Sequence, residues 1–302
     1  VDVSEVRVTP RRYCLIDASE ERLLRLATFN IAGANVPGRR TAAVQSRSWH
    51  WLASHGINLA LVQEAEGSAI PEWVRSRWTL VTGELGQHGK SADWGSVIAA
   101  DPSLRLRPRH DITSADPWLT LLYDYLVVGE IDLPSGETAI VASVHAVAKE
   151  LSKFLKENIA QPPAAVFTEA DLVRIAQLSD VAWVLDVAFD ALARLVEGQR
   201  FIVGGDWNNA RLFDEGRPGE PVASMFFTRA SDRGWFECHQ GDEEQTWLRP
   251  NNKPYQLDHI FTDSETARTV TACFAANGWP ASELSDHAPL VTELDFGRAP
   301  VQ

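Results

Sequence analysis

The chain has 302 residues, 45 % of them hydrophobic and 11 of them Trp, enough apolar material for one large core, and no shift in composition divides it. Its 28 basic and 41 acidic residues give a net charge of −13, the wrong sign for gripping a nucleic-acid backbone by bulk electrostatics, so a polyanionic substrate would need a metal or a local basic patch. No run approaches the ~18 consecutive apolar residues of a membrane span, and Cys14, Cys238 and Cys273 are too scattered for a metal motif and too few for a disulfide framework.

In chain order, residues 1–22 read as an amino-terminal extension to a single domain that takes in the whole chain. The opening "VDVSEVRVTPRR" lacks the apolar centre of a signal peptide, while the start at Val1 rather than Met leaves a removed leader open. The sparse thiols favour a reducing compartment, so a cytoplasmic location is expected. Short apolar strands are predicted at 25–31, 58–64, 78–83, 95–100, 125–132, 138–145, 200–206, 256–262, 268–275 and 288–294. Between the first two, "RRTAAVQSRSWHWLASHG" has helical spacing and a stop at Gly56. Many strands with few long helices imply two packed sheets with helices outside.

A helical insert is expected over 147–198. In "KELSKFLKENIA", Lys149, Lys153 and Lys156 fall at i, i+4 and i+7 opposite Leu151, Phe154, Leu155 and Ile159, an amphipathic segment with a cationic stripe. After "QPP", Thr168 with Asp171 has the spacing of a capping box, and the helical pattern runs on to Gly198 with a break near Ser179 and Asp180.

The chemistry lies at strand ends. "FIVGGDWNNA" ends an apolar run in two glycines, and Asp206 and Asn208 follow two positions apart, able to address one point if the strand continues through them. Gly204 and Gly205 would let a backbone or ligand approach closely. The pattern repeats. Asn30 ends "LRLATFN", Glu64 ends "LALVQE", His145 ends "AIVASVH", Asp258 sits in "YQLDHIF", and Asp286 with His287 opens the strand of "LSDHAPLV". Ionisable groups at the ends of core strands are costly unless they share a polar site. His259 should face away from Asp258, Trp207 and Trp94 should pack, and Asn209 should cap or turn.

This ordered set of N, QE, SxHA, GDxN, LDHIF and SDH, running from Asn30 to His287, resembles the endonuclease/exonuclease/phosphatase superfamily of deoxyribonuclease-like, metal-dependent phosphoesterases. The resemblance implies a four-layer α/β sandwich, two packed mixed β-sheets flanked by helices. It implies Mg²⁺, with Mn²⁺ as a substitute, held by Glu64 with Asn30 and Asp286 directly or through water. A sparse oxygen set of this kind suits a hard cation that keeps several waters. Asp206 and Asn208 match the pair that activates and positions the attacking water, His287 the histidine at the scissile phosphate, Asp258 its orienting carboxylate, and His145 a second phosphate-contacting histidine and candidate proton donor. Whether Asp206 or a histidine is the base differs between branches of the family.

Departures narrow the substrate. Ala65 and Glu66 follow Gln63 and Glu64 where apurinic endonucleases usually carry Thr-Lys, and "GGDWNNA" does not match the inositol phosphatase pattern. The glutamate that pairs with the counterpart of His145 in the deoxyribonuclease branch has Asp93 as its nearest match. The first expectation is therefore a Mg²⁺-dependent phosphodiesterase acting on nucleic acid or a nucleotide-like diester, with Arg39, Arg40, Lys149, Lys153, Lys156, Arg249 and Tyr255 as a phosphate-binding and stacking rim. The alternatives are a phosphomonoesterase or phospholipid-headgroup hydrolase on the same scaffold, and a binding protein on an inactive one. The intact residue set argues against the last.

Overall fold

The computed structural model describes residues 22–31, 42–83, 94–113, 116–122, 124–158, 183–215, 222–248, 253–276 and 285–297. Among them are twelve strands: β1 (Leu23–Asn30), β2 (Leu59–Glu66), β3 (Thr79–Thr82), β4 (Trp94–Ala100), β5 (Arg107–Pro108), β6 (Leu126–Asp132), β7 (Thr138–His145), β8 (Phe201–Asp206), β9 (Phe236–Glu237), β10 (Asp258–Thr262), β11 (Val270–Ala275) and β12 (Leu290–Asp295). All ten predicted strands are present. The two that periodicity missed, β5 and β9, are two-residue edge pieces too short to show an alternation.

The strands form two six-stranded sheets in the orders β11-β12-β1-β2-β4-β3 and β5-β6-β7-β8-β10-β9. Each sheet is mixed, with one parallel pair at its centre, β1 with β2 and β7 with β8. Leu24, Leu26, Leu59, Leu61 and Ile98 of the first sheet meet Val127, Ile131, Val141, Ile202 and Ile260 of the second in a dry layer between them. The alternate residues of the same strands face outward. Ala27, Phe29, Ala60 and Val62 pack under the helix Ala42–Ser54 through Val44, Trp49 and Leu52. Ile140, Ala142, Val144, Phe201 and Val203 pack under the helices Leu151–Asn158, Val184–Leu195 and Val222–Asp232. Helix, sheet, sheet, helix: this is an α/β sandwich of four layers, and its alternation follows from a side-chain period of two on strands buried on both faces.

Helix ends follow local chemistry. Gly56 adopts φ 67° and Ile57 N–H bonds to Leu52 O at 3.2 Å, closing the helix Ala42–Ser54 at the predicted stop. Thr168, Asp171, Ser179 and Asp180 lie outside the described residues, so only 151–158 and 184–195 of the insert's helical pattern are seen. Lys149 precedes the first of these helices rather than lying on it, because regular structure starts at Leu151. No helix of the described residues is long and apolar enough to cross a membrane, and Cys238 and Cys273 are free thiols.

The two glycines of "FIVGGD" have different work. A Cβ on Gly205 would lie 1.8 Å from the Val144 carbonyl oxygen, so the backbone of β7 occupies the place of a side chain. A Cβ on Gly204 would meet side chains and not backbone at closest approach, the Leu61 end at Cδ1 (2.9 Å), which can yield, and the stiffer Ile260 at Cγ1 (3.0 Å). Gly205→Ala is therefore expected to lose at least ~3 kcal/mol of stability or fail to fold, the upper range of overpacking, whereas Gly204→Ala loses about 1–2 kcal/mol. Urea unfolding of the two variants checks the order.

Candidate active site

Because β1, β2, β7 and β8 end at the same edge of the sandwich, their last residues converge there. Register does the rest. His145 lies opposite Asp206 in the parallel β7–β8 pair, and Asp258 lies opposite Asp206 where β10 starts back in the antiparallel direction. Asn30 Nδ2 donates to Asp206 Oδ2 at 3.1 Å and to Glu64 Oε1 at 3.3 Å, joining the first sheet to the second. Ser285 donates its hydroxyl to the Asn30 carbonyl at 2.6 Å and accepts from His287 N–H at 3.1 Å, which anchors the Asp286–His287 segment beside β1.

Two histidines face the carboxylates. His287 Nδ1 bonds Asp258 Oδ2 at 2.8 Å, and its Nε2 stands 3.7 Å from Asp206 Oδ2. His145 Nε2 stands 3.6 Å from Glu64 Oε1 and 3.8 Å from Asp206 Oδ2. Asp206, Asp258 and His287 bring ligand-type atoms within 4.8 Å of one another. All of these groups are buried, Asp258 completely and Asp206 to 2 % exposure.

Burial splits their acidities. It raises Asp206 above the usual carboxylate range, and the neighbouring Asp258 adds to the effect, while His287 and His145 partly offset it. It lowers His145 below the ordinary imidazole value of 6.5, which keeps that ring neutral. Burial opposes charge on His287 too, but Asp258 and Asp206 outweigh it and push the ring up to about 10. The site thus holds one imidazolium, one neutral imidazole and a carboxylate made more basic than normal.

Backbone conformation is unusual at two of these positions. Glu64 has φ 54° at a register slip in the β2–β4 pairing between Val62 and Ala65, and Asn208 has φ 48°. Both lie in the left-handed region, which costs a non-glycine residue roughly 1–2 kcal/mol. For Asn208 the turn is closed by its own N–H bonding Asp206 Oδ1 at 2.9 Å, an Asx-type contact. It follows that β8 does not continue as a straight strand through Asn208. This turn, and not the period-two alternation that the sequence suggested, sets how Asn208 follows Asp206.

The remaining sequence assignments divide. His259 faces away from the site, with Nδ1 2.7 Å from Glu237 Oε1 and Nε2 2.9 Å from Asn209 O. Burial works against charge on Glu237, yet His259 and Arg211 hold it down to about 2. Trp207 is fully buried among Phe226, Trp235 and Phe261, and Asn209 donates to Ala223 O at 3.0 Å. Tyr255 is half-buried with its ring 4.6 Å from that of Phe213 and 6.2 Å from that of Trp247, and Trp247 is bridged to His287 in the backbone. Lys149 pairs with Glu157 at 2.6 Å and Lys153 with Glu150 at 3.1 Å, while Lys156 is exposed, so the cationic stripe is largely neutralised by its own helix and approach. Arg39, Arg40, Arg249 and Asp93 lie outside the described residues, as does the side chain of Trp94.

Supporting residues that the sequence did not single out are Gln45, Thr246, Trp247 and Tyr125. Thr246 Oγ1 accepts from Leu257 N–H at 2.9 Å and Asp258 N–H at 3.1 Å, fixing the start of β10. Tyr125 stands opposite His145, its ring 6.0 Å away and its carbonyl accepting from His145 N–H at 2.7 Å. Nothing local marks any of these positions. Gln63 and Ser143 were visible only as letters inside motifs, and in the fold Gln63 Nε2 donates to Ser143 Oγ at 3.0 Å while Ser143 donates to Val62 O at 3.0 Å, a buried bridge between the sheets beneath the site.

The sequence pattern of the Endonuclease/Exonuclease/phosphatase family matches residues 27–287. No curated protein sequence matches the chain. Among solved structures, the AP endonuclease LMAP from Leishmania major shares 14 % identity, with 97 % of this chain and 92 % of that one covered and a TM-score of 0.60. The 3'-5' exonuclease NExo from Neisseria meningitidis shares 16 % identity over 90 % of this chain and all of that one, with a TM-score of 0.56. TDP2 from D. rerio, solved with a single-strand DNA product, shares 15 % over 90 % and 98 %, at 0.53. At these identities the likeness is one of fold.

The raised acidity constant of His287 has a stability consequence. Its folded value of about 10 lies above the ordinary 6.5, so its contribution to stability is complete below about pH 6.5 and is lost as the pH rises towards 10. Urea unfolding between pH 6.5 and 10 should show that decline, and in His287→Gln the decline should be reduced.

Proposed function

The chain belongs to the Endonuclease/Exonuclease/phosphatase family, and we propose that it is a Mg²⁺-dependent phosphodiesterase acting on nucleic acid or a nucleotide-like diester. The observation that carries this reading is the convergence of Asn30, Glu64, His145, Asp206, Asp258 and His287 in one buried polar knot. In this reading Glu64, Asn30 and Asp286 hold the cation. The donor set fits: buried carboxylate and amide oxygens without a thiol match Mg²⁺ or Mn²⁺ and not a soft metal. When bound, the cation would supply Lewis-acid stabilisation of charge on the phosphate oxygens.

The protein's own groups have complementary tasks. Asp206, anchored by Asn30 and the Asn208 N–H, is the base, since its basicity is raised by burial while His287 is already protonated. It takes a proton from water as the water oxygen attacks phosphorus and the bond from phosphorus to the ester oxygen breaks, the departing oxyanion taking its proton from solvent, and Asn208 orients the attacking water. His287, fixed by Asp258, presents an imidazolium to the phosphate, where developing negative charge is met by a preorganised donor. His145, neutral and facing the same centre, can donate a hydrogen bond to a phosphate oxygen. Tyr255 with Trp247 offers a flat face for a base or sugar, and Arg39, Arg40 and Arg249 would complete the rim.

The pairing of Lys149 and Lys153 with glutamates favours a second reading, a phosphomonoesterase or other small-phosphoester hydrolase, because it leaves fewer cations for a long backbone. The experiment is hydrolysis of plasmid, single strands, dinucleotides and phosphomonoesters by the purified chain with Mg²⁺ or with chelator. Diester cleavage that requires the cation is expected, with Glu64→Gln shifting the Mg²⁺ dependence and His287→Ala and Asp206→Asn each lowering kcat at least ~10²-fold. Full activity in excess chelator sinks the proposal. Replacing Lys149, Lys153 and Lys156 by Ala separates the two readings: a raised KM with a flatter salt dependence on long nucleic acid supports the first, and no change in either supports the second.

A further inference from the structure

We propose that Gln45, on a helix outside the sheets, is a positioning residue that holds Glu64 in its left-handed conformation and thereby sets the cation site; this rests on Glu64 being a metal ligand. Strand β2 does not run straight into the site. Its pairing with β4 slips between Val62 and Ala65, and Glu64 inside the slip has φ 54°. A slip of this kind removes backbone groups from the ladder, and here it does so in the interior, with Gln63 and Ala65 fully buried.

The Gln45 amide meets these groups from the side. Its Nε2 donates to Glu64 O at 3.2 Å and its Oε1 accepts from Glu66 N–H at 3.0 Å. A primary amide offers a donor and an acceptor side by side, so one side chain clasps the backbone on both sides of Ala65. Gln45 is 1 % exposed and its neighbours Val44, Ser48 and Trp49 are buried, which fixes the clasp through the packing of the helix Ala42–Ser54 on the first sheet. With the Glu64 backbone so held, its carboxylate is directed to Asn30 Nδ2 and His145 Nε2. Both hydrogen bonds of the Gln45 amide go to backbone groups and not to the Glu64 carboxylate. The influence of Gln45 passes through the backbone of Glu64.

The test uses the full chain and Mn²⁺ as the probe, with affinity read by calorimetry and folding by thermal melting. Gln45→Met keeps the length and removes both donor and acceptor. It should weaken Mn²⁺ binding about 10-fold, the scale seen when a group that orients a metal ligand is lost. In a Glu64→Gln background, where binding is already weakened, the same change should add less than about twofold. Gln45→Glu, of equal size and still able to accept from Glu66 N–H, replaces Gln45→Met if the latter does not fold, with weakened binding again expected. Native Mn²⁺ affinity in a folded Gln45 variant overturns the positioning role, as does a full additional loss in the Glu64→Gln background. Native affinity in Glu64→Gln alone overturns the metal assignment instead, so the two failures are distinct.

Discussion

The close pairing of β8 with β7 at Gly205 is the constraint on which the rest of the site depends. The Val144 carbonyl occupies the space of a Cβ there, and one position later His145 and Asp206 stand side by side. On its other flank β8 pairs with β10, so that Asp258 reaches the same point from a chain running the opposite way. The parallel pair β1–β2 faces it across the core and ends at the same edge with Asn30 and Glu64. Parallel strands put like ends together, and the loops that leave those ends are free of the ladder, which is why polar chemistry collects there.

Collecting charge in the interior needs compensation. Isolated carboxylates buried as deeply as Asp206 and Asp258 would be strongly destabilising. The site meets this with a set of donors of graded strength: an imidazolium on His287, the amide of Asn30 and the backbone N–H of Asn208. The same groups that neutralise the carboxylates also orient them. Stability and site geometry are therefore coupled here, and a side chain such as Thr246 or Ser285 acts on the site only through the positions that it preserves.

Away from this edge the surface is governed by local acid–base pairing. Arg107, Arg109 and Arg200 are each engaged by two or more carboxylates, and Lys149 and Lys153 by one each. Among the described residues most cations are thus committed to neighbouring carboxylates, and with a net charge of −13 long-range attraction for a polyanion is weak. Recognition of a phosphoester would therefore rely on contacts close to the buried polar groups at the sheet ends.

The sequence by itself determined the strands, because residues buried on both faces of a sheet must be apolar along a whole run, and that signal is local. It also exposed Asn30, Glu64, His145, Asp206, Asp258 and His287, since a polar group ending such a run is out of keeping with its neighbours. It could not tell that Lys149 and Lys153 are paired, that the turn after Asp206 is left-handed at Asn208, or that Gln45 clasps the backbone around Glu64. Those facts depend on which groups meet across the fold. Asn30 and Asp206, 176 residues apart, share a hydrogen bond only because two sheets stack with their parallel ends aligned, and distance in space between such residues is fixed by packing and register, which no local pattern of residues encodes.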